Sequence, residues 1–292
     1  MKAEEAQNLV QQGLVRLMDD PQEWARWAQT LSRFTQYSPG NALLIMLQHP
    51  DASYVAGYRT WQGLGRQVDR GEKAIGILAP VTKKDDEDDR RKLVGFRTAS
   101  VFDISQTSGE PLQIPRPKPL TGDRMADVLQ RLVPVVGHPV RFGDTGEAFG
   151  VWSPSEGTIT IKADAPKDHQ LKSLIHEWSH SIGVPNPQAI EDGHRGSEEI
   201  VAEATAYVVA GALGLDTTGY SRGYVAGWAQ GDLKLVAQTT NDIGSRVHRI
   251  ILAVEKAAER DPVLQGISVA WQPIAPPPQE QALENVAVGR SR

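Results

Sequence analysis

The spacing of apolar positions along this chain changes period twice. Up to residue 47 the apolar residues recur every three or four positions, the period of amphipathic helices. Residues 4–18 read as one helix and 21–47 as a second, with Asp20 and Pro21 as cap and first turn. Trp24, Trp27, Leu31 and Phe34 share one face of that second segment; Ser38-Pro39-Gly40 breaks it, and Asn41–Leu47 resumes as a short buried helix. Between 52 and 107 strand patterns take over, at 53–57, 74–79 and 93–102. A charged block at 83–92, acidic in its middle and basic at both ends, cannot bury itself and predicts a solvated hairpin tip. Helical periodicity returns at Asp123–Val136, with Met125, Val128, Leu129 and Leu132 inward. Short strands at 148–152 and 158–161 follow, then helical runs through 171–182, 198–213 and 233–259. The pattern predicts an α+β protein.

The switch between the two patterned halves falls at residues 111–121, a proline-rich stretch of linker composition. The expected organisation is a mixed helix and sheet domain over 1–110, a linker over 111–121 and a second domain over 122–260. Residues 274–292 lack periodicity and read as a disordered tail. At 292 residues, with 40% hydrophobic and 23% charged residues, both halves can bury a core. A net charge of −5 removes any global basic field, so a nucleic-acid site must be a local patch. The absence of cysteine excludes disulfides, Cys-ligated zinc and thiol nucleophiles. With no signal-peptide core and no apolar run long enough to span a bilayer, the expectation is a soluble, cytoplasmic protein without a membrane partner.

The densest chemistry is His176-Glu177-Trp178-Ser179-His180, an H-E-x-x-H pattern within the apolar-periodic run Leu171, Leu174, Ile175, Trp178, Ile182. Residues four apart on a helix share a face, so both imidazoles can reach one Zn²⁺, with Glu177 beside them as general base. Five residues can also match by chance on a polar face, and a catalytic zinc needs a third protein ligand. Asn186 stands where the longer metzincin pattern has its last histidine, which argues against that class. His194, Glu198, Glu199 and Glu203 remain. Glu199 and Glu203 lie one turn apart on an alanine-rich helix that can approach the first closely. The favoured set is His176, His180 and Glu199 as ligands, Glu203 behind a ligand histidine, and His194 as alternative. Tyr207 or His194 could donate to an oxyanion. In the first half, cations interleave with aromatics. Arg33, Tyr37, Asn41, Trp61, Arg66 and Lys73 are the candidates for tracking a phosphate backbone and stacking bases, although core packing explains the aromatics equally well.

Ser38–Ile45, Gly71–Ile75 and Val101–Thr107 resemble the N-terminal domain of ArdC-type antirestriction proteins. His176–His180, Glu199-x-x-Ala202-Glu203, Gly219-Tyr220 and Tyr224–Trp228 resemble their zincin-type metallopeptidase domain, related to the ImmA/IrrE peptidases. The resemblance implies a single-stranded DNA-binding module fused to a zinc metallopeptidase, associated with mobile elements and protection of incoming DNA from restriction. Its implied partners are single-stranded DNA and a protein or peptide substrate. The alternatives are a regulatory protease of the ImmA/IrrE kind that cleaves a repressor, and a DNA-binding protector with a non-catalytic metal.

Overall fold

The computed structural model describes residues 1–84, 91–112, 123–183, 195–215 and 233–268. Its contacts separate two compact units. The described residues of Met1–Val15 and Gly40–Gln113 form the first, and those of Arg16–Pro39 and Ile114–Trp271 the second. Both mix helix with sheet, so the architecture is α+β.

The first unit takes the start of α1 (Ala3–Asp19), then α3 (Pro39–Gln48), β1 (Val55–Gly57), α4 (Tyr58–Gly63), β2 (Arg66–Val68), β3 (Ile75–Lys84), β4 (Arg91–Asp103) and β5 (Thr107–Gly109). β1, β4 and β3 form an antiparallel sheet in that order, and β2 pairs with β5 in a separate ribbon. Ile75, Ile77 and Val101 bury one face of the sheet, and Leu43, Leu44 and Ile45 of α3 are buried in the same unit. β3 is an edge strand, and its backbone is covered by side chains of α3. The Asn41 amide donates to the Leu78 carbonyl at 2.9 Å and accepts from its N–H at 2.8 Å. Gln48 does the same for Gly76, at 2.8 and 2.9 Å. Side chains two helical turns apart thus satisfy an edge that would otherwise template further pairing.

The second unit contains α2 (Pro21–Arg33), α5 (Asp123–Leu132), β6 (Val140–Gly143), β7 (Gly150–Ser153), β8 (Thr158–Lys162), α6 (Lys167–Ile182), α7 (Arg195–Ala212), α8 (Leu233–Ala258) and α9 (Pro262–Ser268). The sheet order is β6-β8-β7, with β6 parallel and β7 antiparallel to β8, so β7 is an edge strand. α2 starts as its sequence dictates, with the Asp20 carboxylate accepting from the Gln22 N–H at 2.8 Å. Its stripe of Trp24, Trp27 and Leu31 is buried. The Trp24 ring packs on Tyr207 of α7, centroids 5.9 Å apart.

That contact corrects the expected boundary. Residues 16–39 belong by their contacts to the second unit rather than to a domain running continuously from 1 to 110. The aromatic stripe needs an apolar partner, and α7 supplies one through Tyr207. The linker at 111–121, apart from its first two residues, and the tail at 274–292 lie outside the described residues. Among the described residues no helix is long and apolar enough to cross a membrane.

Candidate metal centre

α6 buries Leu171, Leu174, Ile175 and Trp178, which orients the opposite side of the helix toward a cleft. His176 and His180 lie on that side, their Nε2 atoms 3.1 Å apart. α7, in which Ala202 and Ala206 are fully buried, packs against α6 and delivers Glu199. One Glu199 carboxylate oxygen lies 3.4 Å from His176 Nε2 and the other 3.5 Å from His180 Nε2. Donors bound at 2.0–2.1 Å to a tetrahedral ion are separated by about 3.3 Å along each edge. Each histidine meets a different Glu199 oxygen, and one donor atom from each of the three side chains lies within 4.8 Å of the others, close enough to converge on one ion. The donor set of two imidazoles and a carboxylate suits a divalent ion of the zinc type.

One turn beyond Glu199, Glu203 has its Oε2 3.2 Å from His176 Nδ1, and its other oxygen accepts from the Lys172 ammonium. With Nδ1–H donated to Glu203, the Nε2 lone pair of His176 is the one that faces the cleft. Glu177 is nearly buried, and its Oε2 accepts from the Trp152 N–H of β7 at 2.8 Å. β7 passes that closely because residue 150 is glycine: a Cβ there would lie 2.8 Å from Glu177 Cγ. The cleft, about 530 Å³, is lined by residues 148–152 of the β7 segment and by His169, Lys172, His176, Glu177, His180, Glu199 and Glu203.

Charge couples these groups strongly. Burial alone would lower the His176 pKa, but hydrogen bonds to Glu199 and Glu203 and the nearby Glu177 charge push it up to about 9. Hydrogen bonds from His176 and His180 hold Glu199 well below the usual carboxylate range. Burial pushes Glu203 upward, yet its bonds with His176 and Lys172 win and lower it. Glu177 moves the other way, raised by burial despite the two histidines. The opposed shifts of His176 and Glu199 come from hydrogen bonds between them, and that of Glu177 from burial.

The structure thus brings His176, Glu177, His180, Glu199 and Glu203 together. His194 and Asn186 lie outside the described residues. Tyr207 is buried against Trp24 and does not line the cleft. Lys172 and Gly150 escaped the sequence reading. Lys172 had a signal, because it stands four residues before His176 on the same helix face; Gly150 had none.

The nucleic-acid candidates fare differently. Trp61 is fully buried and donates its Nε1–H to the Phe102 carbonyl at 3.0 Å, so it presents no ring face to a base. Tyr37 is buried edge-to-face against Phe34. Asn41 is committed to the β3 edge. Arg66 braces the β2–β5 ribbon through the Thr107 hydroxyl at 2.8 Å and the Thr107 and Glu110 carbonyls at 2.6 Å each. In this structure those four side chains are engaged within the protein, three of them buried and Arg66 half-buried. Arg33 and Lys73 are exposed, but Arg33 belongs to the second unit. Other exposed groups in the first unit are Tyr58, Phe96, Arg59, Arg70 and Arg97.

Residues 10–102 match the family model of the N-terminal domain of anti-restriction factor ArdC. An uncharacterized protein of Bacillus anthracis, pXO2-81, is 24% identical in an alignment that covers 74% of this chain and 45% of that protein. The chain spans about half the length of that relative. A metal-free crystal structure of the antirestriction protein ArdC from plasmid R388 superposes with a TM-score of 0.49 at 20% identity, covering 80% of this chain and 85% of that one. The Mn(II)-bound structure of the same protein gives 0.45 at 17%, covering 83% and 98%. Residues 10–102 are thus similar to the N-terminal domain of anti-restriction factor ArdC.

Proposed function

We propose that the second unit is a zinc-dependent, zincin-like metallopeptidase and that the first unit binds single-stranded DNA, the two serving antirestriction protection of incoming DNA. The observation that carries the peptidase reading is the convergence of His176 Nε2, His180 Nε2 and the Glu199 carboxylate within 4.8 Å, with Glu177 adjacent. A divalent ion held there supplies Lewis-acid polarisation of a substrate carbonyl and lowers the pKa of a water toward neutrality. The chain's own residues supply the rest. Glu177 Oε1 takes a proton from the attacking water and returns it to the departing amine nitrogen, while Oε2 stays anchored on the Trp152 N–H. Burial of Glu177 raises its proton affinity toward what that exchange needs. Glu203 holds the His176 ring and its tautomer, and Lys172 holds Glu203. β7 is the edge strand beside the cleft, the position where an extended peptide adds to a sheet.

Metal analysis of purified protein tests this. The expected result is one zinc per chain in the wild type and in Glu177→Gln, and none in His176→Ala or Glu199→Ala. Undiminished metal in Glu199→Ala would falsify the site. One observation favours a second reading, a structural metal in a DNA-binding protector: Glu177 is already engaged by the Trp152 amide. If Glu177→Gln leaves protection of incoming DNA intact, that reading replaces peptide hydrolysis as the basis of the function.

For DNA, the match of residues 10–102 to the ArdC N-terminal domain supports the assignment. The exposed Tyr58 and Phe96, with Arg59, Lys73 and Arg97, are the groups placed to stack bases and meet phosphates. A gel shift should show single-stranded DNA bound more tightly than duplex, with affinity falling as salt rises. Equal, weak retention of both forms counts against it.

A further inference from the structure

Outside the cleft, the described residues of the second unit include one buried charge that the proposed reaction does not use. Arg246, on α8, is 6% exposed. Its guanidinium makes two bonds from Nη2 to the Glu198 carboxylate, at 3.0 and 2.8 Å. From Nη1 it donates to the Ser179 carbonyl at 3.1 Å and approaches the Ser179 hydroxyl at 3.4 Å. Ser179 directly precedes His180, and Glu198 directly precedes Glu199. One rigid, planar fork therefore grips the residue before a ligand on each of the two helices that carry the metal set. We propose that Arg246 is a positioning residue, which fixes α6 against α7 so that His180 and Glu199 stand at metal-binding separation. This rests on the metal reading given above.

Three features support positioning over simple charge burial. The fork spans α8, α6 and α7 at once, where an ion pair alone would need only α8 and α7. Its contact with α6 is to a main-chain carbonyl, which fixes the helix backbone and not merely a mobile side chain. The third feature is Gly183, just past the end of α6. Its backbone conformation, φ −58° and ψ 137°, is open to any residue, so glycine is not there for its backbone freedom. A Cβ at that position would instead lie 2.7 Å from Arg246 Nη2 and 3.0 Å from its guanidinium carbon. Glycine clears the space the guanidinium occupies. Lysine cannot replace this geometry, since a single ammonium cannot bridge a carboxylate and a carbonyl on different helices in fixed directions.

The test is a zinc titration of the full chain against a chromophoric chelator, with the absorption spectrum of the Co²⁺-loaded protein as a second readout. The expected result for Arg246→Lys and Arg246→Met is a zinc affinity about 10-fold weaker or worse, the loss typical when a group that orients metal ligands is removed. The Co²⁺ spectrum should change with it, because ligand geometry changes. Lysine should recover part of what methionine loses. Val254→Ala, a cavity in the same helix away from the fork, should keep wild-type affinity and spectrum. Should the methionine variant fail to fold, Gly183→Ala crowds the same guanidinium without removing it, and should weaken zinc and alter the spectrum alike. Wild-type affinity and spectrum in the Arg246 and Gly183 variants, or an equal loss in Val254→Ala, overturn the proposal. Failure of the underlying metal reading looks different: the wild type then binds no zinc, or His176→Ala binds as tightly, and the proposal falls with it.

Discussion

At the scale of single residues, the molecule turns on a few side chains whose surroundings leave no alternative conformation. Asp103 is one. It is 1% exposed and accepts from the Ser53 and Tyr54 N–H groups at 2.7 and 2.9 Å and from the Ser105 N–H at 2.9 Å. Burial by itself would raise its pKa, but these bonds outweigh burial and hold it below 3.8. A carboxylate depressed in the folded state adds stability that is fully present above the unfolded value and drains away as pH falls through the folded one. The first unit should therefore lose stability below about pH 4, near the carboxylate reference value, and Asp103→Ala should remove that dependence. Losing these charge-assisted bonds should cost about 3 kcal/mol. Acid titration of unfolding by circular dichroism in both proteins checks each point. Gly150 makes a second case. Gly150→Ala places a methyl 2.8 Å from Glu177 Cγ and 3.0 Å from Oε1, and Glu177 has little room to yield. The expected cost is about 1–3 kcal/mol of overpacking, with zinc affinity retained because no ligand is touched. Calorimetry and a zinc titration of the variant decide it.

At the scale of elements, α2 shows what a periodic stripe can and cannot say. Its apolar face predicts burial, and Trp24, Trp27 and Leu31 are buried. The partner is Tyr207 on a helix more than 180 positions away, and no local pattern names a partner. Trp24→Ala should cost about 3–5 kcal/mol. Hydrogen exchange should then rise in α2 and α7 while β3 and β4 keep their protection; loss in β3 and β4 instead would put α2 back in the first unit. The same limit explains Trp61 and Asn41. Aromatics among cations look alike in sequence whether they meet solvent or a carbonyl 41 residues away, as Trp61 does. The spacing of the candidate metal ligands was more legible, because it repeats with the helix period. His176, His180 and Lys172 stand four apart on one helix, and Glu199 and Glu203 four apart on another. What that periodicity leaves blank is the third dimension: Arg246 and Gly183 join those helices from positions with no shared period. Gly183 fits the longer metzincin spacing that Asn186 contradicts, and the space it clears for Arg246 accounts for it without that class.

At the scale of the whole molecule, the two activities proposed for the chain have separate physical footprints. All three ligand atoms belong to the second unit, and the ArdC-type match is concentrated in the first. A ligand stabilises only what its binding couples to, and saturation at 100 times Kd adds about 2.7 kcal/mol. Zinc at that excess should therefore slow hydrogen exchange in α6 and α7, which hold the ligands, with little change in β3 and β4. A short single-stranded oligonucleotide should do the reverse. A chelator should undo the first effect and leave the second. The net charge of −5 sharpens the DNA half of this prediction. A chain acidic overall can meet few phosphates at once, so the logarithm of affinity should fall with the logarithm of salt on a shallow slope, about 0.7 for each phosphate neutralised on a single strand. Zinc-dependent protection spreading through β3 and β4, or oligonucleotide protection centred on α6, would show that the two footprints are not separable and that metal and DNA act on one shared surface.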